Sequence, residues 1–197
     1  MKKTHAIIYI PGLGDAKLQG QGFIMNVWRA YGVNTIVHPM RWAEDAPFEP
    51  KFKALLQLID DLHSEGKTVS LIGVSAGASA ALNAFASRSD VLHRVVCICG
   101  KINNLKAINE SYFIKNPTFK GSVDRLEKSL SQLGTDDRSR IQSIHPLFDD
   151  VVPIKDTKIK GAYEKTIPSV GHLVSIGYAL TIGSFGIIKF IKKSRSA

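Results

Sequence analysis

Gly73-Val74-Ser75-Ala76-Gly77 constrains the fold of this chain more than any other five residues in it. Ahead of it, Val69, Leu71 and Ile72 are apolar or β-branched and predict a short buried strand. Behind it, Ala76, Ala78, Ala80, Ala81 and Leu82 predict a helix. A strand that turns directly into a helix leaves its apex residue, here Ser75, in a strained backbone conformation with its side chain held out above the sheet. Side chains two positions before and after the apex would collide, which accounts for both glycines. An alanine-rich first turn lets the helix lie close across the strand, with its free N–H groups facing the serine oxygen. A small-residue junction without chemistry fits the same five residues, so the decision rests on what stands elsewhere in the chain.

Two later segments each place polar residues behind an apolar, strand-like stretch. One runs from Ile144 through His145 to Asp149-Asp150-Val151-Val152-Pro153, and the other from Ile167 to Gly171-His172. Near the start, His5 to Ile10 predicts a first strand, followed by Pro11-Gly12-Leu13-Gly14-Asp15. On these residues the chain resembles the serine hydrolases of the α/β-hydrolase superfamily. Their nucleophile, acid and histidine follow in that order along the chain, the acid in an Asp-x-x-Val-Pro segment and the base in a late Gly-His. The resemblance implies Ser75 as nucleophile, Asp149 as acid and His172 as base. It also implies an oxyanion hole from the N–H groups of Leu13 and Ala76, although Pro11 stands where the superfamily usually has a histidine. Asp150 is the neighbouring candidate for the acid, and the spacing to Pro153 favours Asp149. His145 reads as a structural histidine, and His5, His63 and His93 as solvated side chains at element ends.

The implied fold is an α/β-hydrolase fold lacking its first two strands: a mostly parallel six-stranded sheet with helices on both faces. The periodicity agrees. Phe23, Ile24, Val27, Trp28 and Tyr31 recur at helical spacing up to Gly32, Asn34 to His38 predicts a strand, and Phe52, Leu55, Leu56, Ile59 and Leu62 predict a helix between Pro50 and Gly66. Such alternation argues for strands with their active loops gathered at the carboxyl ends. A chain of 197 residues with 44% hydrophobic content is expected to be a single domain, residues 1–197, with a well-buried core. Residues 101–142 exceed what a crossover needs; an ordinary crossover helix built on Val123, Leu126, Leu130 and Leu133 and a small substrate-shaping cap both fit them. Gly12, Gly14, His38 and Trp42 are expected to border the substrate.

Other chemistries fit less well. A dinucleotide fingerprint beginning at Gly12 and Gly14 fails at Lys17, and no Gly-Lys-Ser/Thr follows a glycine-rich loop. Cys97 and Cys99 are expected on one face of a strand, poorly placed to bridge and without the second cluster of a zinc site, so neither metal nor cofactor is expected. They read as core thiols of a reducing compartment. The N-terminus, with Lys2 and Lys3, lacks an adequate apolar region and cleavage site for a signal peptide, and the expected location is cytoplasmic. The net charge of +9 is scattered without a basic helix or zinc module, which argues against nucleic acid. Leu173 to Ile188 is uncharged and followed by Lys189, Lys192, Lys193 and Arg195, but it is short for a bilayer span and carries three glycines. It is expected to be a final helix packed on the sheet, leaving room for peripheral contact of the basic tail with an acidic membrane surface.

The expected activity is cleavage of a small carboxylic ester or thioester through an acyl-enzyme intermediate. Alternatives are an acyltransferase or peptidase using the same three side chains, and a non-catalytic binding protein of the same fold.

Overall fold

The computed structural model describes residues 4–16 and 19–194. Lys2, Lys3, Lys17 and Arg195 therefore lie outside the described residues. In chain order the elements are β1 (His5–Ile10), α1 (Gln19–Val27) with a 3-10 turn at Trp28–Tyr31, β2 (Val33–Val37), α2 (Phe48–Ser64), β3 (Thr68–Val74), α3 (Gly77–Ser87) and β4 (Leu92–Ile98). A 3-10 turn at Leu105–Ala107 then leads to α4 (Glu110–Lys115), α5 (Pro117–Gln132), α6 (Thr135–Ser139), β5 (Ile141–Phe148), α7 (Ile154–Thr157), β6 (Tyr163–Val170), α8 (His172–Leu180) and α9 (Ser184–Lys192).

All six strands are parallel, in the order β2-β1-β3-β4-β5-β6. A parallel sheet buries both faces, so its inner strands read as continuous apolar runs. In β1 the five residues Ala6 to Ile10 are all buried, and in β4 six of the seven residues are buried. One face carries Phe52, Leu55 and Ile59 of α2, the alanines of α3, and Val123 and Leu126 of α5. The other carries Met25 and Trp28 beside Ile176, Leu180, Ile187 and Ile191 of α8 and α9. Each large apolar side chain removed from water contributes about 1.5–3 kcal/mol, and these two layers fix the strand ends in space. The strand order reverses at β1, with β2 on one side and β3 on the other, so the crevice outside the carboxyl ends of β1 and β3 is the switch point where such sheets bind ligands.

Five expectations need correction or completion. Phe23 and Val27 point to solvent, at 71% and 54% exposure, because α1 covers only the sheet margin and turns Met25 and Trp28 inward. Cys97 and Cys99 pack into opposite apolar layers, since the backbone leaves the strand at Cys99 with φ 52° and reverses the alternation. His5 is half-buried, its Nε2 paired with Ser70 Oγ at 2.9 Å. The apolar C-terminal stretch forms two helices bent by 60°, α8 and α9. They bury one side on the sheet and leave Leu173, Val174 and Phe185 exposed, together with Ile182 in the turn between them. No single helix among the described residues is long and apolar enough to cross a membrane. In residues 101–142, α5 is the crossover helix packed on α3, and the segment before it projects over the strand ends.

Candidate active site

The turn after β3 shows why the glycines flank Ser75. A Cβ on Gly73 would lie 2.5 Å from the carbonyl oxygen of Gly77, and one on Gly77 would lie 2.1 Å from that of Ile10. Only bare backbone lets α3 start this close to β1 and β3. Ser75 sits at φ 51°, in the left-handed region that non-glycine residues seldom occupy, and its N–H donates to Ile98 O at 2.8 Å. The strain is held by packing on every side and projects the hydroxyl above the carboxyl edge of the sheet.

The turn after β5 and the start of α8 bring the partners. His172 Nε2 lies 2.9 Å from Ser75 Oγ, across 97 residues of sequence. Its Nδ1 lies 2.8 Å from Asp149 Oδ2 and 3.0 Å from Oδ1. The Asp149 carboxylate also accepts the N–H groups of Val151 and Val152 at 2.9 and 2.8 Å. Burial pushes the Asp149 carboxyl up. The hydrogen bonds from His172, Val152 and Val151 outweigh that and hold it below the usual carboxylate range. An ionised Asp149 accepts only, so Nδ1 carries the imidazole proton and Nε2 is left to accept from the serine hydroxyl.

Asp150 has a separate task that the sequence did not disclose. Its Oδ1 accepts the backbone N–H of His172 at 2.7 Å, at the N-terminus of α8. Adjacent aspartates thus fix the histidine twice, Asp149 at the ring and Asp150 at the main chain. Gly171, at φ 82°, makes the bend from β6 into α8 that presents the ring. The preceding pattern of Asp-Asp and Gly-His was legible; the division of labour depends on how the two turns meet.

The loop after β1 approaches from the other side. Asp15 is buried and accepts the N–H groups of Arg41 and Trp42 at 2.5 and 3.2 Å. Burial raises its pKa, with the backbone donors and Lys51 opposing. Trp42 Nε1–H donates to Pro11 O at 3.1 Å. The tether of this loop therefore comes from Trp42, not from a side chain at position 11. Leu13, Ser75 and Ala76 together line a cavity of about 410 Å³, closed on its other side by Ile108, Tyr112 and Phe119 from segment 101–142. Among the described residues the N–H groups of Leu13 and Ala76 have no protein acceptor.

Several expected neighbours of the cavity stand elsewhere. Trp42 is fully buried and meets Phe119 edge-on at 5.8 Å, so it backs the cavity wall without facing the interior. His38 is half-buried at the end of β2, with its pKa lowered by burial, and does not line the cavity. Gly14 is an exposed turn residue at φ 83°. Gly12 abuts Ser75 instead, where a Cβ would fall 2.9 Å from the serine Cβ. His145 is buried in β5 with Nδ1 on Pro146 O, a structural histidine.

Cys99 lies against the acid. The ligand atoms of Cys99, Asp149 and His172 fall within 4.8 Å of one another. Burial, reinforced by the neighbouring Asp149 carboxylate, pushes the Cys99 thiol up to about 12, so it stays protonated at neutral pH. The imidazole and carboxylate of this group already hydrogen-bond to each other, with the Cys99 thiol beside them.

No protein-family model matches the chain, and no curated protein is similar in sequence. Solved structures do match in fold. Est1E from Butyrivibrio proteoclasticus superposes with a TM-score of 0.69 at 15% identity, covering 97% of this chain and 88% of that one, and a second structure of it holds ferulic acid. The monoacylglycerol lipase of Paleococcus ferrophilus gives 0.62 at 14% identity, over 96% and 95% of the two chains. The meta-cleavage product hydrolase of Pseudomonas fluorescens IP01 gives 0.62 at 14%, over 95% and 90%.

Proposed function

The chain has the α/β-hydrolase fold, and on that basis we propose that it is a serine hydrolase that cleaves a small carboxylic ester or thioester through an acyl-enzyme intermediate. The observation that carries the reading is the continuous chain of hydrogen bonds from Ser75 through His172 to Asp149, opening on a cavity.

A serine hydroxyl is a weak nucleophile. His172 Nε2 takes its proton as Oγ attacks the substrate carbonyl, then returns that proton to the departing alcohol or thiol. Asp149 keeps the ring in the accepting tautomer and stabilises its charged form. The Leu13 and Ala76 N–H groups receive the oxyanion of the tetrahedral intermediate, where each such donor contributes about 3 kcal/mol in comparable sites. Water, activated by the same imidazole, then releases the acid. Residues 101–142 act as a crossover helix and a small cap within one domain, since α5 packs on α3 while Ile108 and Tyr112 reach over the cavity. No metal or cofactor takes part in these steps. Two buried free thiols, Cys97 and Cys99, support work in a reducing compartment, the cytoplasm.

The test is labelling by a fluorophosphonate serine probe beside short-chain p-nitrophenyl ester turnover. Wild type is expected to label and turn over, and Ser75→Ala and His172→Ala to do neither. Absence of both in folded wild type would overturn the reading.

A further inference from the structure

The charges around the cavity are unequal. Three charged residues line it, Lys101, Lys155 and Asp156. Lys101 Nζ donates to Asp156 Oδ2 at 2.7 Å, with the two side chains only 15% and 4% exposed, so this pair is internally neutral. Asp156 is further fixed by its own carbonyl, which accepts the N–H groups of Ile102 and Asn103. Lys155 has no ion-pair partner among the described residues. The cavity that Ser75 lines therefore carries one positive charge without an ion-pair partner, on a solvent-exposed side chain.

The nearby carboxylates do not cancel it. Asp149 is committed to His172 and two backbone donors, Asp150 to the His172 N–H, and Asp15 to the N–H groups of Arg41 and Trp42. The remaining polar lining, Asn104, Asn109 and Tyr112, consists of neutral groups able to donate to an oxygen anion. An exposed cation attracts an anion bound beside it in a salt-dependent way, and a direct charge-assisted hydrogen bond to the ammonium adds to that attraction.

Resting on the hydrolase reading above, we propose that the substrate is a monoanionic ester or thioester, bearing a free carboxylate that Lys155 receives in the cavity while Ser75 attacks the acyl carbon. Lys101 and Asp156 hold the wall and leave Lys155 as the determinant of specificity.

Two pairs of esters test this. Mono-4-nitrophenyl glutarate against 4-nitrophenyl pentanoate places the carboxylate on the acyl side; 4-(butyryloxy)benzoate against its methyl ester places it on the leaving group. In at least one pair kcat/KM is expected to favour the anion by about tenfold at low ionic strength, the range of a charge-assisted contact. Lys155→Met is expected to bring that ratio to about one, whereas Lys128→Met, on the exposed side of α5, keeps it. Equal or neutral-favouring ratios in both pairs, or a ratio unmoved by Lys155→Met, would overturn the proposal. Calorimetric binding of the same four esters to Ser75→Ala, with and without Lys155→Met, decides the anion preference without catalysis. A protein that hydrolyses none of the esters and resists the serine probe overturns the hydrolase reading alone.

Discussion

At the scale of residues, the two aspartates make the sharpest contrast. Asp149→Asn would present an amide to Nδ1, favour the wrong imidazole tautomer and lower kcat by about 10⁴-fold while the fold persists. Asp150→Ala removes only the acceptor at the first N–H of α8, so steady-state kinetics should show a much smaller loss. Denaturant titration should show about 1 kcal/mol of destabilisation. The residues of the relay were legible because each lies in a short motif whose local turn dictates its direction. Trp42 and His38 were misplaced for the opposite reason. Their loop follows β2, at the correct edge of the sheet, but whether a loop side chain faces the cavity or the core is settled by partners far away in sequence, Pro11 and Phe119 for Trp42.

At the scale of elements, the junction of β3 and α3 is the least tolerant part of the protein. Gly77→Ala drives a methyl group into the Ile10 carbonyl and is expected to cost about 3 kcal/mol or more. Gly22→Ala, within α1 and with open space around the added carbon, is expected to stabilise by about 0.5–1 kcal/mol. Parallel urea melts of the two variants check both signs. Strand β1 was readable to its last residue because a fully buried parallel strand has no polar alternation to obscure it. The faces of α1 were not, since an apolar stripe on a helix at the sheet margin does not say which part of it the sheet can cover. The Cys97 and Cys99 faces failed where strand periodicity was carried one residue past the strand's end, into the left-handed turn at Cys99.

At the scale of the whole molecule, strand count, parallel order and the two helical layers followed from the alternation of elements and from the implied family. The reversal at β1 explains why the loops after β1 and β3 meet. The cavity was less legible, because residues 101–116 lack a long apolar period and take their position from the strand ends beneath them. One acid-side weakness follows from His5, half-buried at the foot of β1. Burial, aided by His93 and Lys192, lowers its pKa from 6.5 to about 4. Protonation therefore favours the unfolded chain. The stability it contributes is fully present above pH 6.5 and is lost as the pH falls toward 4. Thermal melts should show a larger drop in Tm between pH 7 and pH 4.5 for wild type than for His5→Asn.

The distance in sequence between Ser75 and His172 also has a meaning in time. At elongation rates of roughly 5–20 residues per second, the 97 positions that separate them take roughly 5–20 seconds to synthesise. Throughout that interval the growing chain carries the hydroxyl but not the imidazole that hydrogen-bonds to it in the folded protein. Nor does it have α8 and α9, which cover one face of the central strands. A nascent chain that has not reached α8 therefore lacks the Ser75–His172 hydrogen bond, even where the strands on either side of β3 have already paired.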